Sequence, residues 1–129
     1  MTHEVAMVFD KQGRPLYWLN GRSAAVEDSR SLWEVVWENR ENLGGVAHTH
    51  PWDGPTGPSG TDISTFAAIE SGLGKRLLWP IVTMTHVHCF RHVQTATVGE
   101  SDYVPVAVTD EWLKQWKDNL EKLRQLSRD

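Results

Sequence analysis

From Gly45 to Asp62 the chain reads GVAHTHPWDGPTGPSGTD, and no other stretch restricts the possible folds as strongly. The apolar run GVAHTH has the character of a short buried strand ending on two histidines. The loop 51–61 holds three prolines and three glycines, so regular structure is not expected there. From Asp62 to Leu73 the spacing of Ile63, Phe66, Ala67 and Leu73 predicts a helix with those four side chains inward, closed by Gly74. The polar residues of this strand–loop–helix unit are either ordinary turn decoration or ligands that converge on a metal ion.

The flanking segments supply a sheet. EVAMVFD and LYWLN, joined by KQGRP, read as a hairpin with Gly13 and Pro15 in the turn. Residues 28–42 read as a helix with Leu32, Trp33, Val36 and Trp37 on one face and Glu34, Glu38 and Glu41 on another, stopped by Gly44 and Gly45. LLWPIVTMTHVHCFRHV is one long strand or two short ones, and DYVPVAV is a further strand that Pro105 assigns to an edge. Thr109 caps a last helix with the stripe Trp112, Leu113, Trp116, Leu120, Leu123 and Leu126, fraying at SRD. This is an α/β or α+β domain spanning 1–129, with a mixed, mainly antiparallel sheet flanked by helices and a C-terminal helix.

Composition narrows the chemistry. The single cysteine, Cys89, excludes an intrachain disulfide and any cysteine zinc cluster, so a metal site must use histidine and carboxylate. A net charge of −4 with no Lys/Arg-rich stretch argues against a nucleic-acid partner. No apolar run approaches the roughly 20 residues of a membrane span, and MTHEVAMVFDKQGRP lacks a signal-peptide profile, so cytoplasm is the expected compartment. Seven tryptophans are many for 129 residues. The pairs Trp33/Trp37 and Trp112/Trp116 are expected in the core, whereas Trp52, inside the polar loop, is expected beside a ligand.

Strand alternation puts His48 and His50 on one face with Thr49 on the other. Asp62, at a helix start, is favoured in its ionised form. Two imidazoles and one carboxylate leave a tetrahedral zinc with an open position, the arrangement of a catalytic site. A water there becomes a nucleophile near neutral pH. Ser59 is either a helix cap or a hydroxyl that stabilises an oxyanion. A second cluster, His86, His88 and His92, has no carboxylate at ligand spacing and is assigned a structural or substrate-adjacent role. Cys89 is expected to be a buried, inert thiol.

His48-Thr49-His50-Pro51 followed by Ser59-Gly60-Thr61-Asp62 resembles the JAMM motif of the JAB/MPN zinc metalloprotease family. The resemblance covers roughly residues 4–93 and extends to the order hairpin, helix, strand, loop, helix, strand. Eight residues separate His50 from Ser59, one more than the family's usual spacing. It implies a compact, prokaryotic-type JAB domain with a cytidine-deaminase-like fold. It also implies one Zn2+ on His48, His50 and Asp62, Glu4 as general base and Ser59 as oxyanion donor. The implied activity is hydrolysis of the peptide or isopeptide bond after the C-terminal Gly-Gly of a ubiquitin-like or sulfur-carrier protein, alongside possible E1/E2-like conjugation partners. A catalytically silent MPN scaffold subunit and a zinc hydrolase of a small amide are the alternatives.

Overall fold

A computed structural model describes residues 3–21, 30–94 and 102–129. Its elements, in chain order, are β1 (Val5–Asp10), β2 (Pro15–Asn20), α1 (Arg30–Glu38), β3 (Leu43–Thr49), α2 (Gly60–Leu73), β4 (Trp79–Val82), β5 (Val87–His92), β6 (Tyr103–Val106) and α3 (Asp110–Arg128). The strands form one sheet in the order β2-β1-β3-β4-β5-β6. Every neighbouring pair is antiparallel except β3–β4, which α2 connects as a crossover. The architecture is therefore mixed α/β with a mostly antiparallel six-stranded sheet and, among the described residues, three helices. No described helix is long and apolar enough to cross a membrane.

Alternation along β1 divides the core in two. Ala6 and Val8 face Leu32 and Val36 of α1 and Phe66 and Ile69 of α2. Val5, Met7 and Phe9 face Trp116, Leu120 and Leu123 of α3. All six residues of β1 are buried, because both faces of this inner strand are covered by helices. Thr109 caps α3 as expected, its side chain accepting from Trp112 N–H at 3.1 Å. The helix does not fray at Ser127. That hydroxyl donates to the His3 carbonyl at 2.6 Å, and His3 N–H donates back to the Ser127 carbonyl at 2.9 Å. The last turn is thus docked on the entry to β1.

Several expectations are corrected. Pro15 opens β2, paired with Phe9, and the reversal is made by Gly13 at φ 82° over the Asp10 carboxylate. α1 ends at Glu38 rather than Asn42, where the Asn39 side chain also donates to the Val35 carbonyl at 2.9 Å and competes with the helical pattern; residues 28 and 29 of its expected start lie outside the described residues. Gly44 and Gly45 do not stop a helix but lie inside β3. A Cβ on Gly45 would collide with the Leu78 carbonyl, and one on Gly44 with that of Asp10, so backbone proximity explains both glycines. Trp33 and Trp37 are not core residues. They stack on each other at 6.3 Å, exposed at 40% and 45%, while Leu32 and Val36 face inward. Ala67 is exposed, and Ile69 and Glu70 take the inward positions of α2.

LLWPIVTMTHVHCFRHV forms two strands, β4 and β5, and β6 with Pro105 is an edge as expected. Cys89 is buried, and burial pushes its thiol up to about 12, which keeps it protonated.

Candidate metal centre

β3 delivers the two histidines. Its side chains alternate, so Val46 and His48 face the α1/α2 layer while Ala47 and Thr49 face α3. His50 follows the strand and stays on the His48 side, with the ring centroids 5.0 Å apart. On the opposite face, the fully buried Thr49 accepts a hydrogen bond from Val5 N–H at 2.9 Å. This bond ties the start of β1 to the end of β3.

α2 delivers the acid. Ser59 is its N-cap: the hydroxyl accepts from Asp62 N–H at 3.0 Å, and Asp62 Oδ2 accepts from Ser59 N–H at 2.9 Å. This reciprocal capping box orients the Asp62 carboxylate toward the end of β3. Oδ1 lies 3.3 Å from His48 Nε2, Oδ2 lies 3.0 Å from His50 Nε2, and the two imidazole nitrogens are 3.2 Å apart. One ligand atom from each residue lies within 4.8 Å of the others, so His48, His50 and Asp62 form a group that can hold a metal ion. Burial works against ionisation of Asp62, but hydrogen bonds from His48 and His50 and the Ser59 N–H outweigh it. Together they hold the carboxyl far below the ordinary range.

The donor set fits zinc. A tetrahedron with metal–nitrogen distances of about 2.0–2.1 Å has edges of about 3.3 Å, close to the separation of the two imidazole nitrogens. Two nitrogens and one carboxylate are also the protein ligand types of catalytic zinc sites, which leave the fourth position to water or substrate. His50 Nδ1 is 2.8 Å from Thr56 Oγ1. This bond leaves Nε2 for the site and fixes the ring's orientation. Sequence reasoning missed Thr56, because a threonine in a Pro/Gly loop carries no spacing signal.

Glu4 is brought to the same place. It lines a pocket of about 30 Å3 together with His48, Asp62, Thr65 and Phe66, enough to admit a water. Its backbone is held from three sides: His3 by Ser127, Val5 N–H by Thr49, and the Glu4 carbonyl by Gly21 N–H at 2.9 Å. Glu34 and Glu38 are exposed on α1, as expected of solvated charges. Replacing Thr49 with valine leaves the buried Val5 N–H without its acceptor. The expected cost is about 1–3 kcal/mol, read by denaturant unfolding. A variant as stable as wild type would show that this tie contributes nothing.

Trp52 is half exposed, at 51%, with its ring 4.7 Å from that of His50, and so forms an open wall of the centre. The loop that carries it is tied to the β4–β5 turn. Met84 N–H donates to the Trp52 carbonyl, Thr83 Oγ1 donates to the Gly54 carbonyl, and Gly54 N–H donates to Thr85 Oγ1. The second histidine cluster does not gather into a ligand group. His86 and His88 stack at 6.0 Å, while His92 turns to Asp102 at 3.3 Å and to the Tyr103 ring.

The chain matches no protein-family model and no curated protein.

Proposed function

We propose that this chain is a cytoplasmic zinc-dependent peptidase or isopeptidase with a JAB/MPN-type fold. Its substrate is a ubiquitin-like or sulfur-carrier protein, cut after the C-terminal Gly-Gly. The observation that carries this reading is the convergence of His48, His50 and Asp62 at mutual distances of 3.0–3.3 Å, in a residue pattern resembling the JAMM motif. Zinc held by these three residues supplies a Lewis acid that polarises a carbonyl and makes water more acidic.

The remaining roles belong to protein groups. The Glu4 carboxylate takes a proton from the attacking water and returns it to the departing amine. Ser59 Oγ already accepts from Asp62 N–H, so its own proton is the one it can offer to the tetrahedral oxyanion. Thr56 holds the His50 ring. The exposed Trp52 flanks an extended tail, which would approach along a strand edge in the manner of added β-strands. No connection between described elements exceeds ten residues, so linkage selectivity comes from a partner such as an E1/E2-like protein.

Metal analysis of purified wild type beside His50→Ala and Asp62→Ala tests the centre. Wild type is expected to hold about one zinc per chain, and both variants to lose most of it. Unchanged metal content in both variants would remove the assignment. A panel of Gly-Gly-tailed protein fusions then tests the substrate. Zinc without cleavage of any fusion would favour a small-amide hydrolase, and a wild type without zinc would favour a scaffold.

A further inference from the structure

A concavity lies at the other end of the sheet from the histidines. Its volume is about 420 Å3, within the range of small-ligand sites. Lys11 enters from the β1–β2 turn, Lys75 and Arg76 from the α2–β4 connection and Arg91 from β5, with Trp112 of α3 beside them. Four cations from three separate segments thus surround one hollow in a chain of net charge −4. The acidic residue lining it, Asp10, is already occupied. Its Oδ1 accepts from Gln12 and Arg14 N–H and its Oδ2 from Arg14 Nε.

The cations keep capacity for a ligand. Lys75 Nζ donates to the Arg40 and Leu43 carbonyls at 2.8 and 3.3 Å, which leaves one of its three protons. Burial, and then the nearby charge of Lys11, lower the Lys75 pKa, so the two ammonium groups are close enough to oppose each other. Arg76 bonds Glu70 through one nitrogen at 3.1 Å and remains 57% exposed. Lys11 and Arg91 are exposed on the rim. Glu70 pairs one of the four charges, so a ligand with a single negative charge would leave two of them uncompensated.

We propose that the pocket binds a small anion carrying a chain of two or three phosphates, gripped by Lys11, Lys75, Arg76 and Arg91, with Trp112 as one wall. The chain can come from an inorganic oligophosphate or from a nucleoside polyphosphate. Along β3, Leu43 at the pocket lies about 17 Å from His48, so this site is separate from the metal centre.

Calorimetric titration of the purified protein with tripolyphosphate and, separately, with ATP tests the proposal. One equivalent is expected to bind per chain. Lys11→Glu and Arg91→Glu are each expected to weaken binding by about tenfold or more, the loss of one charge-assisted contact. Both positions are exposed, and circular dichroism checks that the variants fold. Asp62→Ala is expected to bind unchanged, which separates this site from chelation at a metal. Tighter binding of ATP assigns the nucleoside form and equal binding the free chain; either supports the site. No binding of either at millimolar concentration, affinity unaffected by both charge reversals, or loss of binding in Asp62→Ala would overturn it.

Discussion

Glu4→Gln is expected to lower the rate of Gly-Gly tail cleavage by about 10²–10⁴-fold while zinc content stays at the wild-type level. The substitution keeps the side chain's shape and removes the atom that accepts the proton. Glu4 lines the pocket beside His48 and Asp62 but is not among the three residues whose donor atoms converge, which separates the two effects. The comparison needs kcat and metal content measured on the same preparation. Normal turnover with full zinc would put the base elsewhere. Loss of both together would make Glu4 a ligand or a folding determinant instead.

The second large effect is on stability. Glu70 is fully buried at the C-terminal end of α2, and its carboxylate gathers four donors. Leu77 N–H and Trp79 Nε1 donate to Oε2 at 2.9 Å each, while Tyr103 OH and Arg76 donate to Oε1 at 2.6 and 3.1 Å. These bonds join α2, β4 and β6. Burial, the hydrogen bond to Glu70 and its charge together raise the pKa of Tyr103, so the phenol stays a donor. Glu70→Ala leaves Leu77 N–H, Trp79 Nε1 and Tyr103 OH buried without their acceptor, at an expected cost of about 3–5 kcal/mol. For a domain of this size that lowers Tm by about 10–20 °C. Glu70→Gln should be intermediate, because one end of the amide must present N–H groups to donors. A Tm for Glu70→Ala within about 2 °C of wild type would sink this account.

The periodicity of the chain made the layers readable, since strands of period two and helices of period 3.6 leave different apolar patterns. His48 and His50 were legible for the same reason: one intervening residue on a strand returns to the same face. The misreadings share a cause, which is that local pattern does not report what crosses the chain from elsewhere. Gly44 and Gly45 looked like helix punctuation because the approach of Asp10 and Leu78 is invisible in sequence. Trp33 looked like core, yet its indole spreads over α2, where a Cβ on Gly72 would meet it at 2.7 Å. Glu70 sits among the apolar positions of a helix and gives no hint that four partners await it. Thr56 gains meaning only from the neighbour that folding gives it, whereas Glu4 is assigned from the family resemblance.

The reciprocal bonds between Ser59 and Asp62 have a consequence for how this chain can change. The carboxylate that closes the first turn of α2 is the same one aimed at the imidazoles, so secondary structure and chemistry share a single side chain. Asparagine at position 62 could still begin the helix yet would weaken the grip on a cation. Serine there would give up the acid as well as its reach. On the proposed reading, a lineage that lost the metal centre would therefore keep a polar partner for the Ser59 cap at this position long after the histidines had drifted, and the order of loss would be written in its descendants.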